Sequence, residues 1–334
     1  MKKGETGVAL IMVLWVIAIL SVVVLEFSFG MRTEANLAKN FKEEASLYAL
    51  ADGGLQRAIV ELIYKHDSRI QQKRKVMKIE EIPPGKEEWR TDGRPNTISS
   101  SMGKCEVRIL GEDGKININT VSDTLLRKII GNMGFVGEAR DVVVDSILDW
   151  RDPDDFYRLN GAENDYYQSL PNPYECKNGN LDTIEELLLI KGVTRDLFHG
   201  KRKQEEDGKS EKIGLKAIFS IYASGEQVDI NSASSLVMRM VWGIPKDVAQ
   251  RLVKAREEKP FENQVDMVRR VPEMAPFIGE IGGWIVYQPR RAYYTIESTA
   301  IGQGEAVRSL KAIVKIDARE KKGYKIIQWI DAVW

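Results

Sequence analysis

The sequence predicts an α+β fold: a long N-terminal helix packed on an antiparallel sheet, with a large helical insertion dividing that sheet. Three observations carry this. An uncharged run, VALIMVLWVIAILSVVVL, extends from Val8 to Leu25. Strand-like alternation occurs at CEVRIL, Cys105 to Leu110, and returns at YYTIESTAI, AVRSLKAIVKID and YKIIQWIDAVW near the C-terminus. Between these strand regions, from roughly residue 112 to 290, apolar residues follow the helical period instead.

The apolar run comes first. Its length as a helix, about 27 Å, is close to the roughly 30 Å hydrocarbon core of a bilayer, so it can span. A cleaved secretory signal has a shorter apolar stretch ending in small residues, whereas this run passes into EFSFGMRTEANLAKNF, and it is expected to be retained. Lys2 and Lys3 precede it and favour a cytoplasmic N-terminus, with the rest of the chain across the membrane. From Met31 to Ile63 there is no proline, and Leu37, Phe41, Tyr48, Leu55, Ile59 and Leu62 recur at helical spacing. One rod is expected, its first half in lipid and its second half packing one face on a globular head.

Residues 68–95 are polar and broken by Pro83, Pro84 and Gly85, which predicts an irregular connection. The helical region contains a repeat. GKININTVSDTLLRKIIGNMGF from Gly114 matches QVDINSASSLVMRMVWGIPKD from Gln227, with Ile118-Asn119 aligned on Ile230-Asn231. Each copy reads as a short extended piece, a capping turn, a helix, a glycine turn and a second helix, ARDVVVDSILDW or DVAQRLVKAREE. A further apolar helix is expected in each, in LDTIEELLLI and ENQVDMVRRV, with Asp182 capping the first. KRKQEEDGKSEK, from Lys201, is expected to be a solvated, disordered linker.

Lys plus Arg and Asp plus Glu each total 49, so bulk charge offers no attraction to nucleic acid. Two cysteines and two histidines leave no metal-thiolate cluster, His66 and His199 are expected in solvent, and there is no Gly-x-Ser-x-Gly elbow. Carboxylates are the exception. Asp149, Asp152, Asp154, Asp155, Glu163 and Asp165 fall within seventeen residues, in a segment rich in Asn and Gly. Like charges this close repel unless solvated or bridged, and calcium takes about six to eight oxygens. The spacing is not that of an EF-hand, and helix capping or plain exposure is the alternative. Glycoside hydrolysis by paired carboxylates lacks any accompanying substrate-binding pattern. Tyr166, Tyr167 and Tyr174 are expected to pack over this loop or serve an interface.

The N-terminus resembles that of type IV pilins and type II secretion pseudopilins. The resemblance implies a leader, MKKGETG, cut between Gly7 and Val8 by a prepilin peptidase that methylates the new N-terminus, and a type IV pilin-like fold. One residue departs from the pattern: the family usually has Glu five residues after the cut, where this sequence has Met12. An intramembrane carboxylate that offsets a neighbour's amine is then missing, as befits a subunit at a tip. ILDWRDPDDFYRLNGAENDYYQSLPNPYECKNGNLDTIEELLLIKG resembles the insertion of the K minor pseudopilins, with Asn164 in place of the usual acid. That likeness implies a tip subunit of the periplasmic pseudopilus. Its partners would be the I and J minor pseudopilins, then the H minor and G major pseudopilins and the inner-membrane assembly platform; calcium would be bound in this domain.

The second repeat copy looks like the helix-hairpin-helix of some DNA-uptake proteins, within a SAM-like helical insertion. Its turn, Gly243-Ile244-Pro245, puts a proline where a phosphate-binding N–H is needed, so no nucleic-acid partner is expected. Type IV pilus minor pilins and membrane-anchored helix-hairpin-helix proteins that bind DNA are the alternative classes. Outside the cytoplasm Cys105 and Cys176 can form one bridge or remain two thiols. The expected division is a leader 1–7, a span 8–25, the periplasmic part of the helix 26–66, and the first part of the sheet domain 67–111. There follow a first helical copy with the acidic loop 112–200, a linker 201–216, a second copy 217–290 and closing strands 291–334. No enzymatic role is expected.

Overall fold

The computed structural model describes residues 5–70, 72, 89–204, 210–290, 292–302 and 306–332. Helix α1, Glu5–His66, runs uninterrupted for 62 residues, about 90 Å at 1.5 Å per residue. It is long and apolar enough near its N-terminal end to cross a membrane. The continuity has a simple cause: no proline or paired helix breaker occurs until Gly53-Gly54, where packing on the sheet supports the helix. From Leu10 to Leu25 the large apolar side chains are all exposed. The stripe that meets the head begins only at Leu47 and continues through Ala51, Leu55, Ile59 and Leu62. Leu37, Phe41 and Tyr48, expected on that stripe, are exposed, because α1 projects beyond the sheet before it can cover them.

The sheet has five antiparallel strands in chain order, β1 (Asp92–Ser100), β2 (Gly103–Gly111), β3 (Tyr293–Ile301), β4 (Val307–Ile316) and β5 (Tyr324–Ala332). Helix α1 lies across β2, β3 and β4. Their inward residues, Val107, Ile109, Ile296, Leu310 and Val314 among them, form the head core with the α1 stripe. β1 begins inside the stretch expected to be irregular. Its polar sequence and Pro95 suit an edge strand, where one side needs no ladder partner. His66 is not simply solvated: its Nε2 lies 2.7 Å from the Tyr294 hydroxyl, and burial pushes the imidazole below its usual range.

The helical insertion leaves the sheet between β2 and β3, and two buried acids stand at its root, one bonded to the sheet and the other closing the insertion on itself. Glu112 accepts from Thr295 Oγ1 at 2.6 Å, and Asp113 accepts from Ser224 N at 2.8 Å and Arg290 N at 2.6 Å. Copy one contains α2 (Asp123–Asn132) and α3 (Gly137–Arg151). Copy two contains α4 (Ser235–Trp242), α5 (Lys246–Glu258) and α6 (Gln264–Arg270). The first helices are capped alike, Ser122 Oγ accepting from Leu125 N and Ser234 Oγ from Val237 N. The copies are not separate bodies. They share one hydrophobic core running from Ile116 to Ile285.

Equivalent side chains repeat the same internal bonds. Arg151 donates to the carbonyls of Ile118 and Val121, and Arg256 to those of Ile230 and Ala233. Asn119 exchanges two hydrogen bonds with the Leu181 backbone, and Asn231 does the same with Phe261. Each Arg therefore clamps a capping turn, and each Asn braces the chain returning towards the copy's last helical turn. In copy one that turn is a 3-10 helix, Ile184–Leu189, rather than the expected α-helix. Glu186 Oε1 draws in the Asp182 and Thr183 amides, while the Asp182 side chain pairs with Lys177 instead of capping. The charged linker also differs: Lys201–Gln204 and Ser210–Ile213 pair as an antiparallel hairpin, and residues 205–209 lie outside the described residues.

Gly54 sets how closely α1 approaches the sheet, because a Cβ there would stand 2.6 Å from Ser298 Oγ and 2.7 Å from Cys105 Sγ. Gly53, next to it, faces open space. Thermal unfolding followed by circular dichroism should show Gly54→Leu losing about 3 kcal/mol through overpacking. Gly53→Ala should be neutral or gain up to about 1 kcal/mol.

Candidate functional site, the acidic loop

The repeat frame places the acidic loop. Between Arg151 and Leu181 lie 29 residues, 152–180, whereas between the equivalent Arg256 and Phe261 lie four, 257–260. Both ends of the longer connection are held by the same Arg clamp and Asn brace as the short one. The loop is thus an elaboration on a fixed base.

Its centre is organised by Arg158. The guanidinium donates from Nη1 to Asp149 at 2.7 Å and to Asp152 at 2.5 Å, and the Arg158 amide also points at the Asp149 carboxylate. Asp149 is fully buried, and burial outweighs this pairing enough to push its carboxyl above the usual range. A side chain at Gly161 would overlap Asp149, since its Cβ would lie 1.7 Å from Oδ2. Only glycine fits there. Asp145, not among the residues the sequence singled out, fixes the next turn: it accepts from Asn160 N and Nδ2 at 3.2 Å and pairs with Arg127. Its signal was its place one turn before Asp149 on α3.

Glu163 is the anomaly. It is 1% exposed, and its carboxylate oxygens meet no N–H or O–H donor, only the weak donor of the Cys176 thiol. Burial first, then the charges of Asp149, Asp152 and Asp155, push its carboxyl up to about 7. Two further buried oxygens in the same loop are unpartnered, Asp152 Oδ1 and Asn178 Oδ1. Asn178 takes a left-handed backbone, φ 46°, and its amide nitrogen donates to Asp155 at 2.8 Å. The structure therefore brings Asp149, Asp152, Asp155 and Glu163 into one electrostatic cluster. Asp154 and Asp165 stand apart, on the exposed side, where each accepts from a nearby backbone amide, of Phe156 and Tyr166 respectively. Among the described residues no three His, Cys, Asp or Glu side chains stand together at metal-holding distance.

Beneath the acids the tyrosines pack rather than protrude. Tyr167 is fully buried, its ring edge-on to Trp150 at 5.1 Å and beside Tyr174 at 5.4 Å. Lys191 ties this layer to the loop by donating to Gly161 O at 2.9 Å and lying over the Tyr166 ring. Of the two states that the sequence leaves open for Cys105 and Cys176, a bridge or two thiols, the structure has two free thiols. They belong to different cores. Cys105 sits under α1 beside Ser298 Oγ, whereas Cys176 lies in the loop next to Glu163, where burial pushes its thiol up to about 11.

In the hairpin turn of copy two Ile244 points inward, while Gly243 and Pro245 are exposed. Gly243 takes a left-handed backbone, φ 73°, Ile244 is buried, and Asn132 of α2 donates to Met240 O at 2.8 Å beside the turn. Copy one thus packs against the end of α4 beside the turn.

Residues 104–202 match the family model for protein K of the type II secretion system, and residues 223–277 match the helix-hairpin-helix motif. Type II secretion system protein K of Pseudomonas aeruginosa is 23% identical over 295 residues, covering 84% of this chain and 81% of that protein. The protein K of Pectobacterium carotovorum is 28% identical over 210 residues, 59% of this chain, and the match spans only 61% of that relative's length. A chain in the crystal structure of the GspK-GspI-GspJ complex from the enterotoxigenic Escherichia coli type 2 secretion system shares the fold. Its TM-score is 0.56 at 14% identity, over 91% of this chain and 99% of that one. The family model falls on the acidic loop, the relatives carry the same name, and the fold agrees along nearly the whole length: in sequence and in fold the chain is similar to protein K of type II secretion systems.

Proposed function

We propose that this chain is a minor pseudopilin that sits at the tip of the periplasmic pseudopilus, is anchored in the inner membrane before assembly, and serves structurally rather than as an enzyme. The observation that carries the reading is α1: one rod with a fully exposed apolar half and a second half buried against an antiparallel sheet. Such a helix can leave lipid only for an equivalent apolar surface, and the corresponding helices of neighbouring subunits provide one. The I and J minor pseudopilins are the first partners, in keeping with the complex in which the E. coli relative was solved. The H minor and G major pseudopilins and the assembly platform follow. A tip position is supported by Met12, a neutral residue where a shaft subunit needs a carboxylate, and by the bulk of the insertion on the sheet. The comparisons favour secretion over a type IV pilus.

Calcium is part of the proposal. Four buried oxygens that meet no N–H or O–H donor, of Glu163, Asp152 and Asn178, sit in a cluster of excess negative charge and match the hard oxygen donors that calcium takes. Glu163, Asp152 and the Asn178 amide oxygen are the groups assigned to hold it, with Asp155 drawn in on binding, because no three acidic side chains among the described residues already stand at metal-holding distance. Asp149 belongs with Arg158, and Asp154 and Asp165 face away. Bound calcium would supply the positive charge that this cluster lacks, while Arg158 and Asn178 hold the loop in shape around it.

Two measurements test the reading. Mass spectrometry of the protein from membranes should find an N-terminus at methylated Val8; an intact Met1 would contradict processing as a pseudopilin. For the loop, the sign follows from Glu163, whose carboxyl sits higher folded, about 7, than the ordinary 4.5. Ionisation then weakens the fold, so with calcium chelated, stability should fall as pH rises from 4.5 to 7 and level off above. Glu163→Gln should flatten that fall. At 100 times its dissociation constant calcium should add about 2.7 kcal/mol to the wild type and much less to Glu163→Gln; equal gains would remove Glu163 from the site.

A further inference from the structure

The acidic loop also carries an apolar knuckle that neither the cation cluster nor the core uses. Phe156 is 82% exposed, Tyr157 53% and Leu159 96%. Outside α1, Leu159 and Phe156 are the most exposed large apolar side chains among the described residues. Three such side chains within four residues are costly in water, and a loop that served only to close the fold would turn them inward, as Tyr167 is turned inward a few residues later.

Their outward direction is built in. Arg158, between Tyr157 and Leu159, is drawn down into the loop by Asp149 and Asp152, through both its guanidinium and its amide. Asp154 accepts from the Phe156 amide at 3.0 Å and fixes the approach to the knuckle. The chain is thus pinned on either side of the exposed residues, which lowers the entropy lost when a partner immobilises them. The sequence explains the surroundings: Asp154 and Asp155 immediately precede Phe156, and both are exposed.

We propose that Phe156, Tyr157 and Leu159 form a docking knuckle for a protein partner that offers an apolar groove bordered by lysine or arginine. Aromatic anchors held on a stiff base are typical of interface hot spots. Asp154, exposed and outside the proposed cation site, chooses the charge of the rim and disfavours an anionic lipid surface, so a folded protein fits better than a membrane. This inference rests on the secretion reading for its cellular readout, although the geometry stands without it.

The test uses the full-length chain in a secreting strain whose own copy is deleted. Phe156→Ser with Leu159→Ser should leave the melting temperature within about 2 °C, because both side chains lie outside the core. It should nevertheless reduce secretion at least roughly ten-fold, as loss of two hot-spot anchors does. Phe156→Leu with Leu159→Met should restore most of the secretion, and Asp154→Lys should weaken it several-fold, roughly as reversal of a rim charge does. Benzoyl-phenylalanine at position 156 should cross-link to a protein segment with apolar residues flanked by Lys or Arg. Wild-type secretion by the serine variant at equal protein level would overturn the knuckle, as would an adduct with lipid alone. If the deletion strain itself secretes normally, it is the secretion reading that fails.

Discussion

Helix α1 has to satisfy two solvents with one backbone. From Leu10 to Leu25 every large side chain is apolar and exposed, a surface stable only in lipid or against other helices. Along its second half the stripe from Leu47 to Leu62 supplies one whole side of the head core. Because the backbone is continuous, any force drawing the first half out of the membrane reaches the sheet without a hinge. The close approach at Gly54 secures that junction, where Ser298 Oγ also donates to the Ala51 carbonyl at 2.7 Å. The insertion is joined to the same sheet at its root, where buried Glu112 accepts from Thr295 of β3.

Within the insertion, duplication separates what holds the fold from what was added to it. The Arg clamps and Asn braces recur at equivalent positions, and the short connection in copy two shows what the frame requires. The long connection in copy one uses the same anchors to carry carboxylate oxygens that meet no N–H or O–H donor on one side and exposed aromatic and aliphatic residues on the other. Neither feature lowers the energy of the isolated chain. On the two proposals made for this loop, both would become favourable on binding, of a cation in one case and a protein surface in the other.

Much of this was legible in the sequence because it rests on periodicity and local chemistry. The rod followed from an unbroken helical pattern, the C-terminal strands from period-two alternation, and the duplication from the aligned Ile-Asn pairs. What escaped depended on tertiary context. Strand β1 is polar and contains Pro95, so only its pairing with β2 reveals it. Hydropathy alone does not say where along α1 the head begins, and Leu37, Phe41 and Tyr48 were assigned to the buried stripe too early. The six clustered acids pointed to the loop, but spacing could not say that Arg158 neutralises Asp149, that Asp154 and Asp165 turn outward, or that Glu163 meets no N–H or O–H donor. The sequence left a bridge or two thiols open for the cysteines, which belong to two different cores.

The central claim is that this exposed apolar rod and its head are built to be completed by companion subunits at a pilus tip. Native mass spectrometry of the full-length chain, co-expressed with the I and J minor pseudopilins of its own secretion system and extracted in mild detergent, tests it most directly. The account predicts a complex with one copy of each subunit that persists after the chain's own membrane is removed. A chain that stays monomeric, while I and J still associate with each other, would contradict it.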